Sequence, residues 1–188
     1  LYEQLDTLKD DDVLVLAGSI PSGMPQSIYR DIMSRLQSKR IKIAVDATKD
    51  LLMNVLAYHP FVIKPNNHEL SEIFDIMIDS KEKAVVYAKE LQKKGAQNVI
   101  VSMAGEGAVF VGSDGSVFTS EAPHGVVKNS VGAGDSMVAG FLAGYLAKGD
   151  YAEAFKMGLC TGSASAFSDQ LATREEVEQV RRSHIFDF

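Results

Sequence analysis

Short, strand-length apolar runs alternate along this chain with longer stretches of helical period, and this alternation restricts the fold more than any other feature of the sequence. A strand, a helix and a second apolar strand in succession make a crossover unit, which builds a parallel sheet with helices packed on it. Val13–Ala17 is the first such run, 41–46 the second and 61–63 a short third. Helices are expected at 25–37, entered through a proline in the first turn, and at 48–58, 67–77 and 81–94. The pattern changes at the next strand, 99–103, because Ala108–Val111 and 117–119 follow it with only the turn Ser113-Asp114-Gly115 between them, which signals a β-hairpin. A loop over 121–131 then leads into helices expected at 133–147, Tyr151–Phe167 and 173–182.

With 188 residues, 46% hydrophobic and 23% charged, and with no repeat, low-complexity segment or linker, the chain reads as one globular domain able to bury a sizeable core. Its net charge of −6 argues against a nucleic-acid or membrane-surface partner, since either requires a basic face. An anionic ligand must therefore be held by local donors. The single cysteine, Cys160, allows no internal disulfide and no cysteine-rich zinc site, which suits a cytoplasmic location; it falls in an apolar helical stretch and is expected to be buried and inert. The amphipathic, acidic start has no signal-peptide pattern, no apolar run reaches the roughly 18 residues of a membrane span, and Leu1 looks like an internal start.

Four segments carry candidate chemistry. The strongest is Asn129-Ser-Val-Gly-Ala-Gly-Asp135-Ser-Met-Val-Ala-Gly140, a turn of small residues feeding an apolar helix. Backbone amides of Gly132, Ala133 and Gly134 can converge there at a helix start and hold a phosphoryl group without net charge. Asp135 stands at the mouth of that hole, placed to accept a hydroxyl proton; taken in isolation, the same residues are better read as a helix cap and a turn. Asn66 and Glu69, in Lys64-Pro-Asn-Asn-His-Glu-Leu70, have capping-box spacing. Ser102-Met-Ala-Gly105-Glu106-Gly107 leaves one strand and enters another, and Gly18-Ser19-Ile-Pro-Ser-Gly23 leaves the first strand. Each of these is by itself a plausible turn. The four histidines have no metal-ligand spacing, and neither a P-loop nor a dinucleotide fingerprint nor an esterase elbow is present.

Taken together and in this order, the four segments resemble the signatures of the ribokinase-like, or phosphofructokinase B, sugar kinases, and the likeness covers nearly the whole chain. The wording of the Gly-Ala-Gly-Asp turn is especially similar to the branch that acts on fructose 1-phosphate. The resemblance implies a three-layer α/β/α fold with a mostly parallel sheet and a hairpin in the C-terminal half. It implies ATP and Mg²⁺, transfer to the C6 hydroxyl of fructose 1-phosphate with Asp135 as base, and an anion hole of Gly132, Ala133 and Gly134. Asn66 and Glu69 would organise Mg²⁺ and phosphates through water, so that no protein side chain ligates the metal directly. Lys64, Ser102, Gly105, Glu106, Gly107 and Gly134 would face the nucleotide, with 164–167 forming an adenine wall, and Gly18 and Ser19 would face the sugar. Tagatose 6-phosphate is the alternative acceptor, and a noncatalytic nucleotide-binding relative the alternative class. Family members carry a sugar-binding segment, a lid and phosphate-gripping basic residues upstream of these motifs. The chain is accordingly expected to be an N-terminally truncated, poorly active piece of a kinase that pairs as a homodimer when whole.

Overall fold

The computed structural model describes all residues from Leu1 to Phe188. Six strands form one sheet whose spatial order equals chain order: β1 (Val13–Ala17), β2 (Lys42–Asp46), β3 (Val62–Ile63), β4 (Asn98–Ser102), β5 (Ala108–Val111) and β6 (Val117–Ser120). The first four pair in parallel, and β4, β5 and β6 pair antiparallel, so the expected crossover region and hairpin are both present.

Between the parallel strands run α2 (Ile28–Leu36), α3 (Lys49–Met53), α4 (Asn67–Phe74) and α5 (Lys81–Lys93). Parallel strands laid down in sequence with same-handed crossovers place all their helices on one face. That face buries Leu16, Ile43, Val45, Ile63, Val99, Val101, Val109 and Val111 beneath helix residues such as Ile32, Leu52, Leu70 and Leu91. The alternate strand residues, Ala44, Val62, Ile100, Ala108 and Phe110, point the other way. There they meet Met137, Val138, Phe141, Phe155 and Leu159 of α6 (Ala133–Lys148) and α7 (Tyr151–Phe167). The result is the three-layer arrangement expected from the resemblance, closed by α8 (Arg174–Ser183) against α7.

Helices α6 and α7 approach closely. A side chain added at Gly140 would lie 2.5 Å from Thr161 Oγ1 and 2.7 Å from the Met157 carbonyl. Near the start of α6, Ser165 Oγ donates to Ser136 Oγ (2.9 Å) and accepts the Ala172 amide (3.1 Å), a buried polar chain tying the first turn of α6 to α7 and the loop after it.

Some local expectations differ. The helix expected at 25–37 begins only at Ile28, because Pro25 and its neighbours form a turn that leads into it. The one expected at 48–58 divides into α3 and a 3-10 turn, Leu56–Tyr58, which ends where His59 adopts a left-handed conformation. A short helix not anticipated from the sequence, α1 (Tyr2–Asp6), precedes β1 and is tied to α2 by Arg35, whose guanidinium donates to both carboxylate oxygens of Asp6.

Candidate active site

All four parallel strands end on the same rim of the sheet, the side on which open α/β sheets take ligands. Ala17 pairs with Asp46 there, and Val45 with Ile63. An isolated bridge between Asn66 and Ser102 carries the β3–β4 pairing past the strand ends, and the Ser102 amide donates to the Pro65 carbonyl at 3.1 Å. The Lys64–Glu69 and Ser102–Gly107 segments are therefore neighbours in space.

The small-residue turn arrives at this rim from the opposite face. Gly132 takes the N-cap position of α6 at φ +80°, a conformation costly for any residue with a β-carbon. Asn129 Oδ1 accepts the Val131 amide at 3.0 Å and fixes the approach. Of the three amides expected to form the hole, that of Ala133 closes the turn onto the Ser130 carbonyl at 3.2 Å. Those of Gly132, Gly134 and Asp135 have no acceptor in the protein. The unengaged amides at this turn are thus those of Gly132 and Gly134, two of the three expected, together with that of Asp135, while the amide of Ala133 is used in closing the turn that starts the helix. Asp135 is the third residue of α6, and its carboxylate is exposed. It lines a cleft of about 300 Å³ with Val15, Ala17, Gly18, Asp46, Val138 and Ala139.

Lys64 follows β3 directly and is only 6% exposed, so it is not the solvated strand-end lysine that its sequence position would ordinarily produce. Its ammonium lies 3.2 Å from Asp46 Oδ2 at the end of β2. A β-carbon on Gly134 would meet Lys64 Nζ at 3.1 Å and Asp46 Oδ2 at 3.8 Å, which places this ion pair directly under the amide turn. Burial pushes the Asp46 carboxyl above its ordinary pKa; Lys64 opposes the shift and the nearby charge of Asp135 adds to it. Asp46 belongs to no sequence motif identified above. The signal that could have found it is an acidic side chain at the carboxyl end of a parallel strand.

Asn66 and Glu69 form the reciprocal cap of α4: Asn66 Oδ1 accepts the Glu69 amide at 2.8 Å and Glu69 Oε2 accepts the Asn66 amide at 2.9 Å. Only one carboxylate oxygen of Glu69 is committed to this cap. Nowhere do three His, Cys, Asp or Glu side chains converge as a metal-binding group. A lone free carboxylate oxygen fits a hydrated Mg²⁺, which keeps most of its waters.

Residues 104–106 form a 3-10 turn, with Ala104 left-handed at φ +48° and Gly107 at φ +91°. Gly107 is packed so tightly that a β-carbon would lie 2.0 Å from the Ser120 carbonyl, whereas Gly105 and Glu106 are exposed on the loop. Gly18, also left-handed, reaches the cleft; Ser19 is exposed in the same loop but lies outside the cleft wall. At the end of α7 the Ala166 carbonyl accepts the amides of Lys128 and Asn129, and the Phe167 ring packs on Gly125, so the loop before the amide turn is fastened to the 164–167 segment.

Known proteins resemble this chain in sequence and in fold. A family model described as pfkB family carbohydrate kinase matches residues 1–176. A 1-phosphofructokinase of Bacillus subtilis is 44% identical over 95% of this chain and 58% of its own length, and a D-tagatose-1-phosphate kinase of Bacillus licheniformis is 30% identical over 88% of this chain and 55% of its own. Among solved structures, phosphofructokinase-2 of Escherichia coli, crystallised with substrates and products, superposes with a TM-score of 0.87 at 27% identity, over 96% of this chain and 59% of that one. The chain thus spans under three fifths of the length of each of these relatives. With its motifs in order along one sheet rim and the family model matching nearly end to end, the chain belongs to the pfkB family of carbohydrate kinases.

Proposed function

We propose that this chain carries the phosphoryl-transfer half of an ATP-dependent sugar-phosphate kinase whose acceptor is fructose 1-phosphate. The observation that carries the reading is the start of α6: unengaged amides at Gly132, Gly134 and Asp135, an exposed Asp135 carboxylate, and a buried lysine beneath them. Amides aimed at one point stabilise charge as it develops on a transferred group, and cost no reorganisation at that moment. In the proposed reaction Asp135 takes the proton of the C6 hydroxyl as that oxygen bonds to the γ-phosphorus of ATP and the bond to the ADP oxygen breaks in line. Lys64 and the amides hold the phosphoryl oxygens. Asn66 and Glu69 would hold Mg²⁺ through water, and the ion's chemistry there is to neutralise charge on the nucleotide phosphates. Gly18 and Ser19 would face the sugar, and Ser102 with Gly105, Glu106 and Gly107 the nucleotide.

The choice of fructose 1-phosphate rests on the 44% identity to a protein named 1-phosphofructokinase, against 30% to one named D-tagatose-1-phosphate kinase. A coupled ADP-release assay of the complete kinase, run across phosphorylated ketoses, sugars and nucleosides, tests it. The highest kcat/KM is expected with fructose 1-phosphate. A higher value with a tagatose phosphate would move the acceptor, and no turnover with any of them would favour a noncatalytic nucleotide-binding role.

A further inference from the structure

Asp46 and Asp135 are the two charged residues in the wall of the cleft, and Asp46 has no part in the scheme above. Its carboxylate is largely covered, with Lys64 its only ion-pair partner. Lys64 has Asp46 as its only counter-charge. A buried ammonium needs such a charge, because removing one partner strands the other out of water. The pair sits immediately below Gly134, whose amide is unengaged. A phosphoryl oxygen bound to the amides of Gly134 and Asp135 would thus enter the reach of an ammonium already held in place.

We propose that Asp46 is a positioning residue for phosphoryl transfer: it keeps Lys64 under Gly134 in the open cleft, and Lys64 exchanges that carboxylate for a phosphoryl oxygen when the anion arrives. The inference rests on the kinase reading and adds to it a residue and an exchange of partners. Prepositioning fixes the ammonium before the chemical step, when misplacement is most damaging. The exchange also avoids adding a second anion beside the transferred group. Burial already favours the protonated form of Asp46, and Lys64 is the cation that opposes it, so a carboxyl left by Lys64 next to Asp135 tends toward neutrality.

Steady-state kinetics of the complete kinase test this through a double-mutant cycle. Asp46→Asn is expected to lower kcat by on the order of ten- to hundred-fold while leaving KM for the phosphosugar within about threefold of the parent. In a Lys64→Met background the same change should add less than about twofold, since residues acting through one contact are not additive. Asp46→Glu should recover part of the loss. An Asp46→Asn kcat within about twofold of the parent, or a loss that multiplies in full with that of Lys64→Met, overturns the proposal. A parent enzyme that phosphorylates no sugar sinks the kinase reading instead.

A measurement on the unsubstituted complete kinase guards against variants that fail to fold. Inorganic phosphate is titrated while the Lys64 Nζ resonance and the amides of Gly134 and Asp135 are followed by ¹⁵N NMR. The proposal expects all three to move along one binding curve. Amides that move while Lys64 stays still refute the partner exchange, and no movement at any of them removes the amide turn as a phosphate site, taking the kinase reading and this inference together.

Discussion

Asn66 and Glu69 hold each other's backbone amide, at 2.8 and 2.9 Å, and thereby start α4 at the sheet rim. One pair thus serves helix stability through its cap and, in the proposed function, the nucleotide phosphates through the remaining carboxylate oxygen. The two roles separate by substitution. Glutamine at position 69 can still accept the Asn66 amide, so Glu69→Gln should melt within about 1 °C of the parent while kinase activity at limiting Mg²⁺ falls. Asn66→Ala removes a cap and should cost about 1 kcal/mol, read by thermal or denaturant unfolding. A Glu69→Gln variant with undiminished activity at every Mg²⁺ concentration would leave the pair a structural role alone.

Asp135→Asn in the complete kinase should lower kcat by roughly 10²- to 10⁴-fold, the usual worth of a positioned base, with ATP affinity nearly intact. The side chain is exposed and donates to or accepts from no protein group, so the loss should come without unfolding. A rate within a few-fold of the parent rejects Asp135 as the base.

Ala104 is held at φ +48°, where a β-carbon is unfavourable by about 1–2 kcal/mol. Ala104→Gly should therefore stabilise the chain by about 0.5–1 kcal/mol, after the extra freedom of glycine in the unfolded state is subtracted. Gly107→Ala should do the opposite and more strongly, since its β-carbon would run into the Ser120 carbonyl. Equilibrium urea unfolding of both variants decides the matter, and equal midpoints would contradict it.

Burial raises the Cys160 thiol to about 11, from an ordinary value of 9.0. Between those two values the unfolded chain loses the thiol proton while the folded chain keeps it. The unfolded state then binds fewer protons, and stability falls as pH rises across that window and is intact below it. The loss should amount to roughly 1–3 kcal/mol and be absent in Cys160→Ala. Thiol reagents at pH 8 should label Cys160 only at the rate of unfolding, and rapid labelling of the native chain would show the burial to be wrong.

Much of the architecture was legible because burial in a parallel sheet writes continuous apolar runs, and because glycine and proline punctuate the turns. Helix α7 and strands β1 and β5 begin and end where the pattern said. What escaped was of two kinds. Ala104 adopts a backbone conformation that its residue type does not advertise; it stands where glycine would be expected, and only the fold of the 104–107 turn shows why. The Asp46–Lys64 pair joins the ends of two adjacent strands, so neither residue carries a local signature of the other. The Asn66–Glu69 spacing, by contrast, showed both its possible roles at once, and the structure confirms the cap.

Because the six strands lie side by side in the order they occur in the chain, the rim bearing Gly18, Asp46, Lys64 and Ser102 is assembled from four successive parallel strands, the first three each followed by a helical return. The return connections, such as residues 37–41 before β2, lie at the far end of strands about 16 Å long, since five residues rise by some 3.3 Å each. Insertions there would be absorbed away from the ligand, whereas a change in a rim loop alters one stretch of binding surface and leaves the register of its neighbours alone. Such an edge can be re-specified loop by loop, so that the surface it offers can change without rebuilding the core beneath it.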